Sequence, residues 1–406
     1  MKVLSLGTKQ INYLSRLYAS IKEVNPEVEV SIINLKFFSE DVEKSLSRSF
    51  DHVLSLQENK TNVSVIFKAV KALISSSWHR RFFSSMLALS KNKREGLRLY
   101  SNLFKEDVFF NKHLGGFDIY HFHSLQRVNL KYLFSIPKSK KVILSFWGSD
   151  LMRTAGLVNY YIQSEALKRA DVITTQSLEL REIILAKFGR EHFHKIRLLN
   201  FPMTLELFDL IDRLELPDAS KILPNAKEKT IIIGHNGTPD NNHIDIIKSL
   251  NGKIDKNQYR LIIPFSYGGN KTYLQEIRNL LQTLEFKFTI IEQFLPIEEL
   301  ALLKLNAAYV IMMPVSDAQS AFFLESIYCG SVCIAGAWLP YGNFRRSNLP
   351  FIAVASFEDV ADVIKNNERR QLIEKLRDTR VVIRDIFLSE QVPKAWGGLY
   401  QDSKNR

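Results

Sequence analysis

Short β-branched or apolar runs recur along this chain with helix-length stretches between them, and that rhythm restricts the fold more than any other feature of the sequence. Such runs, each followed by a stretch long enough for a helical crossover, pack as parallel strands buried on both faces. The spacing predicts strands near 3–6, 28–34, 118–122, 142–146, 172–175 and 196–199, and again near 231–234, 261–265, 288–291, 309–313, 332–335 and 351–354. An α/β protein with two Rossmann-like parallel-sheet domains follows, over 1–205 and 229–375. Between them 206–228 contains Pro217 and Pro224 and has no period-two pattern, so it reads as a linker. Residues 376–406 read as a helical segment that returns to the first domain.

At 406 residues, with 46% apolar and 24% charged side chains, the chain has enough apolar surface for two cores, which excludes a disordered protein. The opening MKVLSLGTKQ has too short an apolar run for a signal peptide, and no segment approaches the ~20 apolar residues that cross a bilayer. Cys329 and Cys333 are the only cysteines, too few for a structural zinc site or a disulfide framework. A reducing cytoplasm is the expected compartment.

A net charge of +12 suits a nucleic acid, an anionic membrane or an anionic substrate until its location is considered. Residues 60–105 hold ten cations against the single acid Glu95. In the same segment Ile66, Val70, Ile74, Trp78, Phe82 and Met86 recur every four residues, an apolar stripe beside cations that suits an anionic membrane surface. The alternative is one or two core helices with a solvated basic face. Nucleic-acid binding is not expected, because aromatics and cations are not interleaved on exposed loops or strands.

Ligands of open parallel sheets bind beyond the carboxyl ends of the strands, and six of the predicted ends carry ligand-like residues, which describes a cleft between two facing sheets. Gly7 follows the first strand, HFHS with His121 and His123 the third, and WGSD with Asp150 the fourth. His121 and His123 straddle Phe122 and so share a face. A neutral imidazole there suits the proton of an acceptor hydroxyl, while a satisfied structural role remains open for at least one of the two. The pair lacks a third ligand at metal spacing, so no metal is expected. Asp150 reads either as a helix N-cap or as a base or ligand for an acceptor.

In the second half, GHNGT with Asn236, Gly237 and Thr238 follows the first strand. It is either an ordinary turn or a loop whose glycines let backbone amides approach an anion. Tyr267-Gly268-Gly269-Asn270-Lys271 is a turn by composition; as a ligand loop it supplies Tyr267 for stacking and Lys271 for phosphate. After the fourth strand, DAQSAFFLE places Asp317 and Glu325 eight residues apart around a helix start at Ser320-Ala321. Glu325 there accepts the two hydroxyls of a ribose and Asp317 reaches a sugar hydroxyl, unless Glu325 is a buried carboxylate that caps amides.

The whole arrangement resembles the GT-B glycosyltransferases. PVSDAQSAFFLESIYCGSVCIAG is similar to the acid-x7-acid motif of that superfamily, and FDIYHFHS and ILSFWGSD stand where family-4 enzymes carry an Asp-x-x-His-x-His run and a His-Gly-Ser/Thr-Asp/Glu run, with Trp147 in place of the second run's histidine. GHNGTPDNNHI and IPFSYGGNKTY resemble the fucosaminyltransferases that extend a lipid-linked disaccharide. The Arg/Lys pair used against the donor diphosphate has no clear match, and His235, His243, Arg260 and Lys271 are the substitutes. The resemblance implies a metal-independent hexosyltransferase-type enzyme of bacterial surface glycan synthesis, such as lipopolysaccharide. It implies a nucleotide-diphosphate sugar as donor, no further cofactor, and a lipid-linked or polysaccharide acceptor met on the inner face of the cell membrane. It also implies Asp317 near the donor sugar and Glu325 on the ribose, with Gly7, Asn236, Gly237, Thr238, Tyr267, Lys271, Ser320 and Ala321 around the donor. A nucleotide-sugar epimerase and a non-catalytic membrane- or glycan-binding protein are the alternatives.

Overall fold

The computed structural model describes residues 1–7, 11–34, 46, 49–55, 63–215, 229–366, 372 and 375–401. They form two compact units, one of Met1–Pro202 with Glu390–Arg406 and one of Met203–Ser389.

The first unit holds β1 (Lys2–Leu6), β2 (Glu29–Asn34), β3 (His52–Ser55), β4 (Ile119–His123), β5 (Lys141–Ser145), β6 (Val172–Thr175) and β7 (Ile196–Leu198) in one sheet of order β3-β2-β1-β4-β5-β6-β7, all parallel. Val3, Leu4, Ser5 and Leu6 of β1 are all buried, as a strand covered on both faces requires. The chain reverses its direction of winding between β1 and β4, which brings Gly7 and His123 to adjoining strand ends. Gly7 has φ +127°, and a Cβ there would meet the His123 carbonyl oxygen at 2.2 Å, so only glycine lets these ends close.

The second unit contains β8 (Lys229–Ile233), β9 (Tyr259–Pro264), β10 (Lys287–Ile291), β11 (Ala307–Met312), β12 (Val332–Gly336) and β13 (Ile352–Val354) in the order β10-β9-β8-β11-β12-β13, again parallel. Its switch point lies between β8 and β11, so the loops after β8, β9 and β11 are neighbours. That is where such sheets hold ligands.

Two features depart from the sequence reading. β3 is not expected: it is a short edge strand whose Val53 and Leu54 are only half-buried, so it lacks the apolar run that marks its neighbours. The stretch read as a linker begins instead with a helix, Leu205–Glu215, whose Leu207, Phe208 and Ile211 are buried in the second unit's core. Their three-to-four spacing is a helical stripe. The rest of that stretch, 216–228, lies outside the described residues.

At the other end of the chain the helix Gln391–Gln401 packs on the helix Ile11–Val24 of the first unit. Trp396, 1% exposed, donates to the Asn200 carbonyl at 2.7 Å, and the Leu399 carbonyl accepts from Lys141.

Candidate functional site

In the second unit the loops after β8 and β9 fold onto each other. The Gly237 amide donates to the Tyr267 carbonyl at 2.8 Å, and Asn236 Oδ1 accepts from the Thr238 amide at 2.8 Å and from Asn241 Nδ2 at 2.9 Å. Two further bonds tie the first loop to the end of β11: Val315 N to the Asp240 carbonyl at 2.8 Å, and Asn242 Nδ2 to the Met313 carbonyl at 2.7 Å. Contact this close excludes side chains. A Cβ on Gly269 would stand 2.3 Å from the Phe265 ring and 2.7 Å from the Gly237 carbonyl oxygen. Gly269→Ala should therefore force the loops apart at a cost of about 1–3 kcal/mol, seen as a lowered Tm; an unchanged Tm would show that the loops separate without strain.

Asp317 and Glu325 frame the next strand end. Ser320 caps the helix Ala321–Tyr328, its Oγ accepting from the Phe323 amide at 3.2 Å. Every residue from Phe323 to Tyr328 is buried, so Glu325 sits in a helix covered on all sides and requires a partner. The partner is Lys304, from the helix Ile297–Asn306: its Nζ lies 3.1 Å from Glu325 Oε2 and its side chain is 0% exposed. Lys304 Nζ also donates to the Phe322 carbonyl at 3.2 Å and stands 3.2 Å from the centre of the Phe322 ring. One carboxylate oxygen of Glu325 is thus committed to structure. Asp317 Oδ2 accepts from the buried Tyr341 hydroxyl at 2.5 Å. Burial, then the Asp317 charge, holds the Tyr341 phenol well above its ordinary range, so it stays protonated and donates. Tyr341→Phe removes this donor and should cost about 1–2 kcal/mol, measured by urea unfolding; no change in stability would mean that the bond contributes nothing net.

Tyr267 joins these groups. Half of its surface is exposed while its hydroxyl end is enclosed beside Asn236; that enclosure, then the charges of Asp317 and Glu325, raises its phenol. Its ring stacks on Phe294 at 5.8 Å and 9°, and Phe294 is 72% exposed. The two rings form an aromatic platform at the mouth of this array. Sequence reasoning missed Phe294, Lys304 and Tyr341. Phe294 was within reach, because it too follows a strand end, that of β10.

The expected phosphate cations separate. Lys271 is exposed at the start of the helix Lys271–Thr283, next to the loop. Arg260 lies at the wrong end: it pairs with Thr230 and Lys287 near the strand starts, and its guanidinium donates to the Phe288 carbonyl. His243 is 0% exposed, bonded through Nδ1 to the Tyr273 hydroxyl at 3.2 Å, and burial lowers it to about 4, so it carries no charge at neutral pH. The Tyr273 hydroxyl also meets the amides of His243 and Ile244, which occupies the N-terminus of the helix His243–Leu250.

In the first unit the sequence-predicted acceptor residues are brought together, but inside the core. Tyr18 Oη stands 3.2 Å from His121 Nδ1 and 2.9 Å from His123 Nε2. Tyr400 Oη is 2.6 Å from His121 Nδ1, Ser145 Oγ is 2.7 Å from His121 Nε2, and Thr174 continues the chain at 2.6 Å from Ser145. Both histidines are 0% exposed; burial lowers His121 well below its ordinary value and His123 to about 3. Among the described residues no three His, Cys, Asp or Glu side chains are placed to share a metal ion. Asp150, also 0% exposed, accepts from the Leu125 amide at 2.6 Å and the Trp147 amide at 2.9 Å, which holds the loops after β4 and β5 together. Burial raises it to about 6 against the pull of those amides. In this structure the side chains of all three are 0% exposed and held by these hydrogen bonds.

No family model matches the chain, and neither does any curated protein sequence. Solved structures do. A glycosyltransferase from Rickettsia africae aligns with TM-score 0.68 at 14% identity over 99% of this chain and 98% of that one. HepE of Anabaena, in complex with UDP and glucose, aligns with TM-score 0.67 at 11% identity over 99% and 100%. A UDP-forming α,α-trehalose-phosphate synthase from Burkholderia xenovorans aligns with TM-score 0.65 at 10% identity over 99% and 98%. With its two parallel sheets and these likenesses over nearly the whole length, the chain has the GT-B fold.

Proposed function

We propose that this chain is a glycosyltransferase that moves a hexose-type sugar from a nucleoside-diphosphate donor to a saccharide carried on a lipid or on a growing surface polysaccharide, without a metal ion. The observation that carries this reading is Glu325, buried in the helix after β11 with one oxygen held by Lys304, beside Asp317 and the interlocked loops of Asn236–Thr238 and Tyr267. The second oxygen of Glu325 accepts the ribose hydroxyls, Asp317 a hydroxyl of the transferred sugar, and the Tyr267–Phe294 platform a face of the base. Gly237 and Gly269 let the two loops close on the Phe265 ring, which sets the loops that face the donor. The start of the helix at Ser320 and Ala321, with Lys271, meets the diphosphate. Charge that develops on the departing diphosphate is stabilised by those amides and that cation, so the groups act where the transition state differs from the ground state.

The acceptor is met on the cytoplasmic face of the membrane, through the basic segment 60–105. Incubation with a panel of nucleotide sugars, UDP-glucose first because HepE holds UDP and glucose, tests the reading by following nucleotide release with and without a lipid-linked saccharide. Acceptor-dependent release is expected. Conversion of one nucleotide sugar into another without acceptor would instead make this an epimerase.

A further inference from the structure

The helix Val63–Ser75 turns its apolar face the wrong way for a globular protein. Its inner side is fixed by Ala69, which is buried and whose carbonyl accepts the Tyr100 hydroxyl at 3.5 Å. On the outer side Phe67, Val70 and Ile74 are 71%, 51% and 76% exposed. Spaced by three and four residues they share one face with Lys71. An amphipathic helix buries such a stripe, and one left in water marks an interaction site. The next helix, Ser77–Leu89, is different: Phe82 and Met86 are buried, Trp78 donates to Glu165 at 2.8 Å, and its ring packs on Phe134 at 5.4 Å. The four-residue stripe of the sequence is therefore divided, with Val70 and Ile74 facing out and Phe82 and Met86 facing the core.

Charge says what covers the outer face. Residues 63–105 hold nine cations against Glu95 as the single acid, and Lys71, Arg80, Arg81, Lys91, Lys93 and Arg94 are exposed. Arg80 donates to the carbonyls of Leu73 at 3.2 Å and Ile74 at 2.9 Å, which holds a guanidinium at the end of the apolar face. A second copy of this chain, packed isologously, would set the same cations against one another. An anionic bilayer instead offers hydrocarbon for the three apolar side chains and phosphates for the cations around them.

We infer that the outer face of Val63–Ser75 is a membrane-docking element: Phe67, Val70 and Ile74 enter the boundary between headgroups and acyl chains, and Lys71 and Arg80 meet anionic headgroups. This sharpens the membrane contact in the proposed function, but its readout does not involve sugar transfer. A wild-type chain that bound no nucleotide would bear on the transferase reading alone.

Co-sedimentation with vesicles tests it. Wild-type protein is expected to pellet with phosphatidylcholine vesicles containing phosphatidylglycerol and to stay in solution with phosphatidylcholine alone. Salt at 1 M, where the Debye length is about 3 Å, should weaken the pelleting. Phe67→Ser/Val70→Ser/Ile74→Ser should lower the partition coefficient on the order of a hundredfold, and Lys71→Gln/Arg80→Gln should reduce the preference for anionic lipid. Leu157→Ser, an exposed apolar residue outside this segment at 64% exposure, should change neither. Equal pelleting of wild type and triple variant, or no pelleting of the wild type with either vesicle, would overturn the inference. So would a lipid-free dimer that the triple substitution converts to monomer, which would assign the face to self-association.

Discussion

Glu325→Ala is expected to destabilise the second unit by about 3–5 kcal/mol, because it leaves Lys304, whose side chain is 0% exposed, in the interior without its counter-charge. The loss arises from the charge left behind rather than from a strong net attraction, since a buried pair regains in Coulomb energy little more than it gives up in solvation. Lys304→Met/Glu325→Ala should therefore recover most of the stability, with a methionine filling much of the space of the lysine stem. Urea unfolding of the single and double variants measures this coupling directly. If the double variant is as unstable as Glu325→Ala, the pair is not the reason for the loss, and the helix Ala321–Tyr328 depends on the carboxylate in some other way.

The first unit should lose stability as pH falls from 7 toward 5. His121 and His123 both titrate below the ordinary histidine value of about 6.5 in the folded chain, His123 at about 3. Above that ordinary value neither state is protonated. Below it the unfolded chain takes up two protons that the folded core refuses, so each imidazole removes up to about 1.4 kcal/mol per pH unit. Asp150 runs the other way: its folded value, raised to about 6, lies above the ordinary value of about 3.9, so its contribution is present in acid and lost as pH rises through about 6. The carboxyl offsets one imidazole, and a net slope of roughly 1.4 kcal/mol per unit remains below pH 6. His79 and His192, also lowered by burial, add to it in the same direction. Trp78, Trp147 and Trp396 belong to this unit and Trp338 to the other, so tryptophan fluorescence during urea unfolding reports mainly on the first. A stability that is flat or rises toward pH 5 would mean that the histidine network opens to water.

What was legible in the sequence was whatever a local pattern encodes. β1, β4, β5 and β11 are buried on both faces, so their apolar runs stand out, and strand ends at a switch point carry ligand residues as a rule of the topology. Glu325 was conspicuous as an acid inside an apolar run. Lys304 was not: in IEELALLKLN it looks like any solvated lysine, and only the packing of one helix on another buries it. The histidine pair was assigned to one face correctly, but the hydroxyl that holds His121 comes from Tyr400, 279 residues away, and no local pattern reports such a partner. The stripe from Ile66 to Met86 was read as continuous because its period never slips. Its break was nevertheless written in Ser75-Ser76-Ser77, where Ser76 caps a new helix by accepting from the His79 amide.

The central claim is that the second unit holds a nucleoside diphosphate against Glu325, and titration calorimetry tests it most directly. Wild-type protein and the stability-matched Lys304→Met/Glu325→Ala variant are titrated with UDP and then with the other nucleoside diphosphates. Loss of a charged acceptor for the ribose is worth about 1.5–3 kcal/mol, so at least one nucleotide should bind the wild type and bind the double variant roughly ten- to hundredfold more weakly. Equal affinity of both proteins for that nucleotide, or no binding of any nucleoside diphosphate to the wild type, would contradict the account.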